Sequence, residues 1–192
     1  MLRVGVTGGI GSGKSLVCSI LEAMGYPVYH ADKEAKFIIN TNLKAISVYK
    51  KLFGNDIYIN GKLNSKKVAS VIFESPELLR QVNEVIHPLV FEHFARWCEK
   101  HSQHSVVFKE AAIIFESGAN KHLDKVIGVF APLEQRVKWV TTRDGVGIDA
   151  VKHRMANQMN EEDLKALCDF RIYNSAETLL LPQVLEVVGV LG

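Results

Sequence analysis

The sequence is poor in cysteine, has no long apolar run, and carries almost no surplus of charge. Its three cysteines are Cys18, Cys98 and Cys168. They show no metal-ligand spacing and no even-numbered disulfide framework. They read as reduced, buried thiols, which suits the cytoplasm. No segment approaches the roughly 18 consecutive apolar residues of a membrane span. The opening MLRVGVTGGIGSGKS runs into glycines too early for a secretory signal. Both absences point to a cytoplasmic protein with no membrane partner. Lysine and arginine total 23 against 21 for aspartate and glutamate. That balance leaves no global basic field to argue for nucleic acid. There is no internal repeat and no low-complexity run. What remains is an average globular composition, 47% apolar and 23% charged over 192 residues. Such a chain makes one domain with its own core.

Strand and helix patterns alternate. Residues 2–7 form a short valine-rich run that ends in glycines, as a buried strand does. Residues 15–24 have helical spacing, with Gly25 placed as the residue just past the end. Residues 27–29 predict a second strand, and Asp32 is placed to cap the helix after it. Residues 33–103 read as mostly helical, with a turn at Asn60-Gly61 and a helix start at Ser75-Pro76. Pro88 is expected to break or kink that helix at His87. Further strands are predicted at 105–108, 125–131 and 170–173, and a break at 143–147 precedes a polar helix at 149–158. Alternation of this kind gives a parallel sheet covered by helices.

The sharpest motif is Gly8-Gly9-Ile10-Gly11-Ser12-Gly13-Lys14-Ser15, which fits G-x-x-x-x-G-K-[ST] between a strand and a helix. Glycines let successive N–H groups turn toward phosphate oxygens, and the helix adds its positive end. Lys14 reaches the β- and γ-phosphates, and the Ser15 hydroxyl ligates Mg²⁺. Residues Gly9 to Leu16, with Ile10, Gly11, Ser12, Gly13, Lys14 and Ser15 between them, form the expected ATP loop. The dinucleotide fingerprint G-x-G-x-x-G fails here, because its last glycine falls on Lys14 or Leu16. The guanine motif N-K-x-D fails too, since Asn120-Lys121-His122-Leu123-Asp124 is one residue too long.

A small-molecule kinase also needs an acid near the acceptor and cations over the phosphates. Asp32 follows the second strand at the edge where ligands sit in such folds. It is the candidate base or hydroxyl-orienting group. Arg136, Arg143 and Arg154 flank the break after the fourth strand and can stabilise charge on the phosphoryl group. Glu110 follows the third strand, a position that serves the metal through water.

These residues in this order resemble the dephospho-coenzyme A kinase family, of the P-loop nucleoside-monophosphate-kinase type. The resemblance rests on TGGIGSGKS at 7–15, Ala31-Asp32, Phe53-Gly54, His87-Pro88, Phe115-Glu116, Arg154 with Gln158, and Asn174. Three positions depart from the family pattern. His30 replaces an aspartate, Ser65 stands for an arginine, and Ala112 stands for a proline. The resemblance implies a P-loop-type parallel five-stranded sheet flanked by helices, with an inserted helical lobe and a lid. It assigns the core to residues 1–32, 104–135 and 167–192, the acceptor lobe to about 33–103 and the lid to about 136–166. It implies ATP and dephospho-coenzyme A as substrates, Mg²⁺ as cofactor, and coenzyme A and ADP as products. Catalysis falls to Asp32, Lys14 and Arg143, nucleotide binding also to Arg136 and Arg154, and the acceptor to Asp32, Lys36, His87 and Glu116. A monomer or small homo-oligomer is expected. The alternatives are a kinase of a nucleoside monophosphate, shikimate or gluconate, or a nucleotide-dependent switch. The near-neutral total also hides a pattern. Residues 33–67 carry eight lysines against Glu34 and Asp56, a net of +6.

Overall fold

The computed structural model describes residues 1–156 and 158–192, the side chains at 73, 74 and 76 excepted. It divides into two compact units, Met1–His30 with Cys98–Gly192, and Ala31–Trp97.

The first unit is built on five strands: β1 (Leu2–Thr7), β2 (Val28–His30), β5 (Val106–Glu110), β6 (Lys125–Phe130) and β7 (Phe170–Tyr173). The numbers β3 and β4 belong to a hairpin of the second unit. Every pairing in the sheet is parallel, in the order β2-β5-β1-β6-β7. β1 therefore lies at the centre, with Leu2 opposite Val106 on one side and Val4 opposite Lys125 on the other. A strand covered on both faces must be apolar throughout, which is why β1 reads as a continuous run rather than an alternation. One face of the sheet packs on α1 (Lys14–Ala23) and α9 (Leu180–Leu191). Val4, Val6, Phe108, Ile127 and Ile172 meet Val17, Cys18 and Leu21 of α1 and Val184 of α9 there. Each large aliphatic so buried contributes about 1.5–3 kcal/mol. α1 ends as Gly25 predicts. Gly25 is left-handed, its N–H donates to Glu22 O, and the Tyr26 N–H reaches Leu21 O. That pair of bonds satisfies the last carbonyls of the helix. The remaining helices of this unit are α6 (Leu133–Asp144), α7 (Ile148–Ala156) and α8 (Glu161–Leu167).

Several boundaries differ from expectation. β5 runs Val106–Glu110 rather than 105–108. α6 continues through Arg143 to Asp144, and the break comes at Gly145, whose φ of 64° ends the helix. The polar helix expected at 149–158 is α7 and ends at Ala156, and the prediction at 157 lies outside the described residues.

The second unit contains α2 (Ala31–Thr41), α3 (Leu43–Phe53), the hairpin β3 (Tyr58–Ile59) with β4 (Lys62–Leu63), α4 (Ser65–Glu74) and most of α5 (Pro76–Lys100). Asn60 and Gly61 turn the hairpin with φ of 50° and 76°, the two positive values such a tight turn requires. Asn42 caps α3 by accepting from the Lys44 and Ala45 N–H groups. Two expectations fail here. α2 begins at Ala31, directly after β2, so Asp32 lies in its first turn and is not its cap. There it still favours the helix dipole. α5 also runs unbroken through Pro88. An interior proline costs about 3 kcal/mol. Val82, Ile86, Leu89, Val90 and Phe94 are all buried along this helix, and their burial outweighs that cost.

Candidate active site

β1 delivers the chain to the carboxyl edge of the sheet and releases it into the loop Gly8–Ser15. Gly13 shows why the loop needs glycine. Its φ is 98°, and a Cβ there would sit 2.2 Å from the Asn174 amide nitrogen. The Asn174 side chain, at the end of β7, donates to Ser12 O at 3.1 Å. Lys14 opens α1 and sends its ammonium back across the loop, donating to Gly8 O at 2.8 Å and Gly9 O at 3.2 Å. Thr7 Oγ1 and Ser12 Oγ are buried without a hydrogen-bond partner among the described residues. A concave polar loop with a lysine at its mouth and a helix N-terminus behind it is built for phosphate.

Side chains remote in sequence fix the loop's far end. The Ile10 N–H donates to Gln158 Oε1 at 2.7 Å, and Arg136 Nε donates to Ile10 O at 3.0 Å. Arg136 is buried, and its other arm donates to Glu161 at 3.1 Å. Burial pushes the Arg136 pKa down, and Glu161 pushes back. The guanidinium lies flush on Gly9, where a Cβ would stand 2.0 Å from it. Gln158 also donates to Ala112 O at 3.4 Å, and the next N–H, of Met159, donates to Glu116 Oε1 at 3.0 Å.

Beside the loop opens a cavity of about 350 Å³, lined by Gly11, Gly13, Lys14, Ser15, Leu16, Trp139, Val140, Arg143 and Asn174. Arg143 and Arg154 are brought together by Asp144, which accepts from both at 2.7 and 2.9 Å. The Arg143 hydrogen bond, foremost, holds the Asp144 carboxyl below its ordinary range. Glu110 ends β5 in register with Val6 and His30. His30 stands between Glu110, at 3.5 Å, and Glu22, at 3.0 Å. Burial, then the negative charge of Glu110 and Glu22, pushes the Cys18 thiol far up, so it is inert.

The expected site residues thus divide. Gly9 to Leu16, Arg136 and Arg143 gather around the loop and its cavity. Glu110, Glu116 and Arg154 belong to the same unit. Asp32, Lys36 and His87 belong to the second unit, Asp32 and Lys36 exposed on α2 and His87 half-buried on α5 beside Phe91. Glu161 and Trp139 escaped the sequence reading, and Gln158 and Asn174 were noted there without a role. The family pattern, through Arg154-x-x-x-Gln158 and Asn174, pointed toward two of them.

The doubly covered parallel sheet, the loop at its carboxyl edge and the adjoining cavity define a P-loop phosphotransferase. The dephospho-CoA kinase family model matches residues 2–179. A dephospho-CoA kinase from Bacteroides fragilis is 38% identical over 190 residues, covering 99% of this chain and 93% of that protein. The crystal structure of a Thermus thermophilus protein superposes with a TM-score of 0.86 at 31% identity, covering 98% of this chain and 96% of that one. The dephospho-CoA kinase of Campylobacter jejuni does so at 0.72 and 25%, covering 97% and 95%. The chain belongs to the dephospho-CoA kinase family.

Proposed function

We propose that this chain transfers the γ-phosphoryl group of ATP to the ribose 3′-hydroxyl of dephospho-coenzyme A. The observation that carries the reading is the Gly8–Ser15 loop with Lys14 drawn across it, in a chain of this family. The loop N–H groups receive the ATP phosphates, and Lys14 exchanges the Gly8 and Gly9 carbonyls for β- and γ-oxygens. The nucleoside enters the cavity beside Leu16, where Trp139 offers a flat face. Asp32 orients the acceptor hydroxyl and takes its proton as the oxygen bonds to the γ-phosphorus. The bond to the β-phosphate oxygen breaks, and ADP leaves. Arg143 and Arg154 spread the charge of the transferring group, while Lys36, His87 and Glu116 serve the acceptor.

Magnesium fits the donor set. Ser15 offers a hydroxyl and Glu110 a carboxylate, both hard oxygens, and among the described residues no group of three or more His, Cys, Asp or Glu forms a cage. That suits an ion coordinated mostly by phosphate and water. Ser15 would hold it directly and Glu110 through water. Once bound, it supplies charge neutralisation at the β- and γ-oxygens.

The reaction is assigned to the cytoplasm, by a monomer or small homo-oligomer, without nucleic acid or membrane. In keeping with this, the three cysteines are free. Among the described residues, no helix is long and apolar enough to cross a membrane. The deciding assay is ADP release with dephospho-coenzyme A, against AMP, shikimate, gluconate and no acceptor. The expected result is turnover with dephospho-coenzyme A alone. Faster turnover with another acceptor would replace the substrate assignment. Slow acceptor-independent hydrolysis would favour a switch protein.

A further inference from the structure

The phosphate loop is held from outside by more than its motif requires. α1 starts at Gly13 without any side-chain cap, so the loop's own residues do little to fix its shape. Its Ile10 peptide is gripped at both ends, by Gln158 at the N–H and by Arg136 at the carbonyl. The two gripping residues lie 148 and 126 positions away in the chain. The Ile10 N–H is spent on Gln158 and the Ser12 N–H on Gly9 O. The N–H groups of Gly11 and Gly13 make no hydrogen bond among the described residues. The Ile10 carbonyl held by Arg136 and the Gly11 N–H belong to one peptide unit, so the grip acts directly on a group that must point at the ligand.

The same short segment secures four residues. Gln158 holds Ile10 and Ala112, the Met159 N–H holds Glu116, and Glu161 holds Arg136. We propose that Gln158 is a positioning residue for phosphoryl transfer. Its carboxamide, paired with Arg136 across the Ile10 peptide, presets the phosphate loop for ATP and ties it to the loop after β5. A glutamine is suited to this, because it accepts from Ile10 and donates to Ala112 without placing charge beside the phosphates.

The proposal rests on the reading of Gly8–Ser15 as an ATP loop, and the test separates the two. ATP binding is measured by calorimetry on the full-length protein and its Gln158→Met variant, which keeps the volume and loses both hydrogen bonds. KM is measured for ATP and for dephospho-coenzyme A, and Tm is recorded. The expected result is ATP binding weakened about tenfold, as loss of a preorganising bond would give. KM for ATP should rise in step, and KM for the acceptor should stay within twofold. A group that only stabilised the fold would lower Tm and leave ATP affinity unchanged. ATP affinity within twofold of wild type would overturn the proposal. Wild type that fails to bind ATP would take down the reading beneath it as well. Should Gln158→Met not fold, Glu161→Ala takes its place, since it frees Arg136 from the other side. Several-fold weaker ATP binding is expected there, and unchanged binding would again overturn the idea.

Discussion

Gly9→Ala is a one-carbon change whose cost can be worked out from a single neighbour. The Gly9 φ is not left-handed, so the backbone itself tolerates alanine. The obstacle is Arg136, whose guanidinium nitrogen would lie 2.0 Å from the new Cβ. That nitrogen ends a flexible side chain, and an unrestrained arginine would swing aside at little cost. This one is buried and bonded at both arms, to Ile10 O and to Glu161. Displacing it forfeits one charge-assisted bond to a carbonyl, worth about 1.5–3 kcal/mol. Glu161 is 37% exposed, so its share is discounted to about 1 kcal/mol or less. Gly9→Ala should therefore cost about 2–4 kcal/mol. In an Arg136→Ala background its three nearest neighbours are gone, and the same methyl should cost almost nothing. A double-mutant cycle by urea unfolding should return a coupling of about 2–4 kcal/mol between positions 9 and 136. Additive effects, with coupling below about 0.5 kcal/mol, would show that Arg136 does not brace this loop.

Three further outcomes are expected. Asp32→Asn should cut turnover by at least about 100-fold, as loss of a general base does, with ATP affinity nearly unchanged. Near-normal turnover would remove Asp32 from the acceptor hydroxyl. Lys14→Ala should abolish both ATP binding by calorimetry and turnover, and intact binding would refute the role given to the loop. Lys109 on β5 is buried, which depresses its pKa from 10.5 to about 8. The folded state then binds fewer protons than the unfolded chain between about pH 8 and pH 10.5. Stability from this group therefore rises as pH climbs through that window, by about 3 kcal/mol in all. Lys109→Met should flatten the rise between pH 8 and 10 in urea titrations, and an unchanged slope would contradict the assignment.

What the sequence discloses and what it hides follow one distinction. The phosphate loop, the Gly25 helix end and the Asn60-Gly61 hairpin turn are written locally, because a handful of consecutive residues carry the whole requirement. Asn174 and Gln158 act on peptides more than 140 positions away, and nothing in their own neighbourhoods signals it. Arg136 reads as a cation for the nucleotide, and only its burial shows a guanidinium already occupied by Ile10 and Glu161. Pro88 misleads in the opposite sense. The local rule predicts a break, and the packing of the whole helix overrules it. Likewise nothing in the local sequence shows that Arg143 and Arg154 share Asp144.

The central place of β1 has a consequence for how the chain is made. β1 is synthesised before either strand it pairs with, since those partners begin at Val106 and Lys125. The strand that follows it in sequence, β2, never pairs with it, because β5 lies between them. At a synthesis rate of about 5–20 residues per second, the valine-rich stretch waits roughly 5–20 s with both edges open. During that interval α1 is already synthesised, but α9, which packs on the same face, is not. Pairings this distant in sequence also close late and slowly once the chain is free. The nascent chain is thus most exposed to aggregation at the strand that leads into the phosphate loop, and a chaperone that shields unpaired strands would raise its yield more than its stability.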